Sequence, residues 1–305
     1  MNPLRGIALK VASVCVFVAM ASLIKAVADK VPPGETVFFR SAFAVPVILV
    51  WLAAKRGLGT GLSTKNPLGH FWRGLVGTAA MGFGFAGLGM LPLPEVTAIG
   101  YAAPLLTVIF AAMFLGEVVR TFRILAVALG LVGVLIALSP RLTTLEADGL
   151  GTAETLGAVV VLISAVFLVL SQVFVRKLVR DETTPSIVFW FSVSAAMLSL
   201  VTVPFGWVMP DAPTAGILVA TGILGGIGQV LLTSSYRHAD TSVIAPFEYA
   251  SMLLAIGVGY LFFDEVPTLI VLGGAALIVA AGILIIWREH QLGLERAKQR
   301  GSMTP

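Results

Sequence analysis

The chain has 305 residues, 58% of them hydrophobic and 12% charged, with a mean hydropathy of +0.99. A soluble domain sits near half apolar and a quarter charged, so these proportions describe an all-α polytopic membrane protein; they exclude a disordered chain, a collagen and a disulfide-stapled secreted domain, Cys15 being the one cysteine. The net charge of +4 asks for no nucleic acid partner, because the placement of the basic residues explains it, and an outer-membrane barrel would alternate apolar and polar positions where these runs are continuous.

Ten apolar runs near the ~20 residues a bilayer requires predict helices over 6–27, 35–54, 71–91, 95–115, 122–138, 154–175, 185–204, 214–236, 241–261 and 268–287. Together they leave no room for a soluble domain of any size. The first run exceeds a typical signal-peptide core and is followed directly by a charged turn and a second span, so it reads as a retained helix.

Taken in order, the first span carries Lys25 near its outer end, within snorkelling reach of water. The second carries Phe39 and Arg40, the latter about six residues in, where a guanidinium facing lipid would cost several kcal/mol. Arg40 is therefore expected to face the bundle interior. There its planar fork of donors suits a substrate carboxylate or a coupling acid; an interior ion pair, a carbonyl clamp or a snorkel to the outer surface is the structural alternative.

In the third span Met81, Phe85 and Leu88 form an apolar face, and in the fourth Tyr101 precedes Pro104, which removes a backbone hydrogen bond mid-helix and predicts a kink and a hinge. In the sixth, Ser164, Phe167 and Ser171 align, the serines bonding their own or a neighbouring helix. Trp190 in the seventh stands with Phe39, Tyr101 and Tyr249 as candidate aromatic walls. The eighth aligns Gly222, Gly226, Gln229, Thr233 and Tyr236 on one side: glycines for close approach, then hydrogen-bonding groups that lipid would penalise and a wet cavity would accept.

Glu248, about 10 Å along the ninth span at 1.5 Å per residue, is the one acid well inside a run. It could carry a proton in coupled antiport, or act structurally against His238, Arg237 or a helix end. Glu117 and Glu265 close matching spans and read as caps on the helices that follow. The substrate path is expected between the halves, lined by helices one, three, four, six, eight and nine.

If the N-terminus is cytoplasmic, inside segments hold 16 of the 20 basic residues and outside segments hold two, Lys30 and Arg141. That asymmetry predicts both termini in the cytoplasm.

The chain also repeats itself. A shift of 148 places Leu115-Gly116-Glu117-Val118 on Phe263-Asp264-Glu265-Val266, Tyr101 on Tyr249, Gly74 on Gly222 and Gly77 on Gly225; a shift of 151 places Val37-Phe38-Phe39-Arg40-Ser41 on Val188-Phe189-Trp190-Phe191-Ser192, and Lys25 on Arg176. The unit has five helices, an odd number, so the second copy must cross the membrane in the opposite sense. The fold expected is ten transmembrane helices as two inverted five-helix repeats, 1–140 and 154–288, with a periplasmic connecting loop over 141–153 and a cytoplasmic tail over 289–305.

Phe38-Phe39-Arg40-Ser41, Tyr101-Ala102-Ala103-Pro104 followed by Gly116-Glu117, and Pro246-Phe247-Glu248-Tyr249 followed by Phe262-Phe263-Asp264-Glu265-Val266-Pro267 resemble the drug/metabolite transporter superfamily in its ten-helix EamA branch. The second half departs from the pattern in having Met252 where Pro104 stands in the first. The resemblance implies a secondary transporter in a bacterial-type inner membrane, its partners a small-molecule substrate and the lipid bilayer, with no cofactor, no ATPase subunit and a monomer as the simplest state. It is similar to amino-acid exporters of that branch, so export of amino acids, aromatic or hydrophobic ones included, is the first expectation; uptake of S-adenosylmethionine, riboflavin or a similar metabolite is the alternative, and a non-transporting membrane scaffold a remote one.

An enzyme is not expected. His70, His238 and His290 lie in or beside cytoplasmic loops with no second ligand at metal spacing. The stretch from Gly59 to Lys65 fails as a phosphate loop because Thr64 stands where glycine must precede the lysine and no strand precedes it.

Overall fold

Prolines mark where the helices begin. Pro33, Pro67 and Pro94 stand in the first two positions of their helices, as does Pro185, where a missing N–H costs nothing and a fixed φ favours the first turn. The computed structural model describes residues 3–54, 61–103, 105, 106, 110, 113, 121–148, 153–178, 181–238 and 244–302. In chain order these form α1 (Pro3–Val27); α2 in two pieces (Pro33–Ala42 and Ala44–Ala54); α3 (Pro67–Met90); α4, described over Leu93–Gly100; α5 (Thr121–Asp148); α6 (Ala153–Leu178); α7 (Thr184–Ser199); α8 (Ala212–His238); α9 (Ala250–Phe263) and α10 (Leu269–Ser302).

Each irregularity has a local cause. Pro46 has no N–H for the Ala42 carbonyl and its ring crowds that group, so α2 breaks at Phe43. After α7 the chain tightens into a 3₁₀ turn, Leu200–Phe205, which holds Pro204 and ends at Gly206 with φ of 92°. A second 3₁₀ turn, Ala245–Tyr249, leads into α9. That helix closes on Asp264 in the left-handed region, φ 54°, while the Glu265 N–H donates back to the Gly259 carbonyl at 2.9 Å, a closure that fixes where the Glu265 side chain starts.

Two elements outrun their sequence-predicted ends. α5 continues to Asp148 through most of the segment expected as a loop over 141–153, and α10 continues to Ser302 through the expected tail. Helical propensity in Leu142–Ala147 and Leu292–Lys298 has no proline to stop it; hydropathy marks where a helix leaves lipid rather than where it ends.

Among the described residues five helical stretches are long and apolar enough to cross a membrane, Leu4–Val27, Pro33–Ala54, Glu154–Val175, Pro185–Phe205 and Ala212–Leu232, with shorter apolar stretches at Ile124–Ala137, Phe247–Phe263 and Leu269–Leu284. Large apolar side chains such as Val50, Leu125, Leu135, Leu253 and Phe262 are exposed on the outside of the bundle, an arrangement water would penalise and lipid accepts. This is an all-α, multi-pass membrane protein.

The helices pair across the halves. α1 packs along α8 and α6 along α3; α2 meets α8 and α7 meets α3; α5 lies against α10, and α2 against α7. Under the repeat α1 corresponds to α6 and α3 to α8, so each of these contacts either has its counterpart or is its own. Glycines permit the approach: a Cβ on Gly274 would stand 2.6 Å from the Gly133 carbonyl oxygen, and one on Gly222 2.8 Å from that of Phe39.

Candidate functional site

Arg40 is buried, 3% exposed, about 10 Å along α2 from Pro33. It sits where four helices meet. Phe191 of α7 presents its ring 5.9 Å from the guanidinium carbon. Gly225 of α8 leaves the space the arginine fills, since a Cβ there would lie 3.0 Å from Arg40 Nε and 3.3 Å from Met20 Sδ of α1. Nε and Nη1 of Arg40 are closed off from solvent and have no hydrogen-bond partner among the described residues. The interior position expected from the sequence is what the fold provides, and the ion pair or carbonyl clamp offered as its structural alternative is absent among the described residues.

A second arginine joins it. Arg73, on α3, stacks on the same Phe191 ring with its guanidinium carbon 3.4 Å from the centroid. Gly77, one turn on, is the counterpart of Gly225: a Cβ there would be 2.5 Å from Arg73 Nη1, 2.7 Å from the Phe191 ring and 3.1 Å from Ser171 Oγ of α6. Arg73 Nε and Nη1 are also closed off and unpartnered among the described residues. Hydropathy hid this residue. A span starting at 71 puts Arg73 at the membrane edge, whereas the helix starts at Pro67, capped by Asn66 Oδ1 accepting from the Gly69 N–H at 2.9 Å, and carries Arg73 almost two turns in. The Asn66-Pro67 pair was the available signal.

The other predicted residues divide. Phe39 stacks on Phe43 and packs with Val27, Val31 and Leu218. Phe85 packs with Met20, Ile24 and Leu88, and Met81 is half-buried on the same helix. Gln229 is half-buried on α8 one turn beyond Gly225. Gly222 and Gly226 close on α2, against Phe43 and Val47, the close helix approach expected of them. Trp190 stands apart from the arginines: its indole N–H donates to the Leu62 carbonyl at 3.0 Å. Pro104, Glu117 and the side chains of Thr233 and Tyr236 lie outside the described residues.

Tyr101 and Tyr249, matched by the repeat, meet edge to face with ring centroids 5.1 Å apart, and the Tyr101 hydroxyl shares a hydrogen bond with Ser251 Oγ. Beside them Glu248 pairs with Lys10 of α1 at 3.2 Å. The Lys10 side chain is buried and the Glu248 side chain is 54% exposed, so a lysine far away in sequence pairs with Glu248, while the Arg237 side chain expected beside it lies outside the described residues.

Lys25 is the centre of the tie at the other end. Its ammonium donates to the Leu88 and Leu91 carbonyls at 3.3 and 2.7 Å and pairs with Glu265 at 2.8 Å. Glu265 Oε2 accepts from the Leu93 N–H at 2.8 Å. Glu265 is thus a cap, but on the start of α4; the closed turn at Asp264 swings it back into the bundle and away from the helix that follows.

Matched turns are clasped at both faces. Glu35, 1% exposed at the start of α2, accepts from the Val208 N–H at 3.0 Å, and Ser186 at the start of α7 donates to the Ser63 carbonyl at 2.9 Å. Glu182 adds a second hold on that loop, accepting from Thr64 Oγ1 and from the Lys65 and Asn66 N–H groups at 2.7, 2.6 and 2.9 Å, with His70 Nε2 3.7 Å away. Burial works to raise the Glu182 carboxyl, but those hydrogen bonds and the neighbouring imidazole hold it below the ordinary carboxylate range.

A cavity of about 190 Å³ opens between α1, α2 and α3, lined by Ile24, Pro33, Thr36, Phe85 and Met90 among others. Thr36 lies one turn from Arg40 on α2. The space is smaller than the ~300 Å³ at which ligand pockets begin, and neither Arg40 nor Arg73 lines it.

A model of the EamA-like transporter family matches residues 4–139 and again 155–287. A pseudopaline exporter of Pseudomonas aeruginosa is 30% identical over 92% of this chain and 95% of its own length. An S-adenosylmethionine uptake transporter of Rickettsia bellii is 26% identical over 84% of each chain, and a riboflavin transporter of Rhizobium johnstonii 28% identical over 85% of this chain and 82% of its own. A protein of known crystal structure shares the fold, with a TM-score of 0.66 at 21% identity, covering 94% of this chain and 98% of that one.

Proposed function

The chain belongs to the EamA-like transporter family, and from that premise we propose that it is a secondary transporter exporting small carboxylate-bearing metabolites, amino acids first among them, by alternating access between two inverted halves. It works without ATP, in an inner membrane with both termini cytoplasmic. One observation carries the reading: Arg40, buried mid-bundle where α1, α2, α7 and α8 meet, keeps donors with no protein partner among the described residues. A buried guanidinium left so is costly unless an anion completes it, and a transported carboxylate is an anion that comes and goes.

Support for export comes from the relative at 30% identity, whose name states that activity; the uptake transporters are similar over a smaller share of the chain. The ties at Lys10–Glu248 and Lys25–Glu265 hold α1 to α9 at both ends, as an occluded stage of alternation requires, and breaking one at a time would open one face. The test is counterflow in reconstituted vesicles with an amino-acid panel. Wild type should exchange at least one of them, and Arg40→Gln should lose that exchange by about tenfold or more, the worth of a charge-assisted bidentate contact, while still unfolding cooperatively. Full exchange by Arg40→Gln would sink the reading.

A further inference from the structure

We propose that Arg40 and Arg73, together with the Phe191 ring between them, form one two-charge site whose occupant is a small dicarboxylate; this rests on the transport reading above and names the substrate class of that same interior. The two guanidinium carbons lie 5.9 and 3.4 Å from a single ring centroid, so they are no farther apart than those distances together allow. Two permanent cations that close, in an interior of low dielectric, repel. The ring face attracts both but supplies no acceptor.

No carboxylate among the described residues answers them. Glu248 and Glu265 form ion pairs with Lys10 and Lys25, and Glu182 stands 3.7 Å from His70 and holds the turn at residues 64–66. Four donor atoms, Nε and Nη1 of each arginine, are closed off and unpartnered among the described residues. A single carboxylate would neutralise one guanidinium and leave the other as it is. Two carboxylates, one on each planar fork, match charge and geometry together, and the stem joining them would lie beside Phe191 and Met20, with the Ser171 hydroxyl close to Gly77 on the Arg73 side.

The repeat shows that this site was not inherited whole. By the shifts that align the halves, Arg40 matches Phe191 and Arg73 matches Thr221, and Thr221 is buried with its hydroxyl donating to its own helix at Leu218. The second half supplies the ring, the first both cations.

The experiment reads thermal unfolding of the detergent-purified protein and vesicle counterflow with glutamate, glutarate, leucine and inorganic phosphate as probes. Glutamate and glutarate should raise the unfolding midpoint more than leucine does and compete about tenfold or more better in wild-type counterflow. That advantage should vanish in Arg73→Gln and in Arg40→Gln and return in part in Arg73→Lys. The wild-type competition needs no variant to fold. Leucine competing as well as glutarate, or phosphate stabilising as well as glutarate, would overturn the dicarboxylate assignment while leaving transport intact; absence of exchange for every amino acid would instead overturn the transport reading itself.

Discussion

The two halves share a frame and divide the chemistry. Matched helices exchange partners symmetrically, matched glycines at 77 and 225 each make room for an arginine, matched tyrosines at 101 and 249 meet ring to ring, and matched turns at 35 and 186 each clasp a loop of the other half. The charges obey no such symmetry. Lys10, Lys25, His70, Arg40 and Arg73 all come from the first half, and the acids that answer the first three, Glu248, Glu265 and Glu182, all come from the second. Duplication therefore fixes where groups can meet, and divergence decides what meets there. Among the described residues, the Lys10–Glu248 and Lys25–Glu265 ion pairs and the His70–Glu182 contact all join the halves.

The strongest way to break this division is at the Lys25 tie, where both side chains are mostly closed off, 13% and 14% exposed. Lys25→Met leaves the Glu265 carboxylate buried and unpaired and should cost about 3 kcal/mol; Lys25→Met with Glu265→Gln should recover much of it. At the Lys10 tie Glu248 is half in water, so Lys10→Met, which leaves only that exposed carboxylate unpaired, should cost less than about 1 kcal/mol. Thermal unfolding of the four proteins checks the order. Equal losses at both ends would mean that burial does not rank the ties, and a selective loss of pH-driven flux in Glu248→Gln, with counterflow and stability intact, would give that acid a proton-coupling role.

The matched glycines offer a finer test. Gly77→Ala drives a methyl into the Phe191 ring and Arg73 and should cost about 1–3 kcal/mol. Gly225→Ala meets Arg40 Nε and Met20 Sδ at longer distances, 3.0 and 3.3 Å, and gains about 1 kcal/mol of helix propensity, so it should be near neutral. A larger loss at Gly225 would reverse which half is taken as the tighter.

The smallest effect is expected at Glu182. Its folded-state carboxyl is held below the ordinary 4.5, so its contribution is complete above that value and is lost as pH falls through the lower folded one. Glu182→Gln should therefore lower stability at neutral pH and flatten the acid limb of the stability curve below about 4.5. An unchanged acid limb would show that the clasp on residues 64–66 owes nothing to ionisation.

Much of the frame was legible because lipid imposes it. Ten apolar runs, the repeat and the interior position of Arg40 follow from the cost of polar groups in hydrocarbon. Arg73 was not legible from hydropathy, because a window cannot see that Asn66-Pro67 starts the helix a turn earlier. Trp190 was legible as an aromatic but not as an anchor for the Leu62 carbonyl, since its partner lies 128 residues away. Glu265 was legible as a cap, while the helix it caps was decided by the left-handed turn at Asp264.

The sequence by itself determined the solvent of this protein, its helices and its duplication, because hydropathy and period are local and each residue votes on them alone. Which charges meet was decided only by the tertiary structure. Glu248 finds Lys10 at a separation of 238 residues, and Arg40 and Arg73 find one phenylalanine of the other half, because helix pairing between the two halves brings distant residues together by shape, and a shape made by ten helices is written in no single one of them.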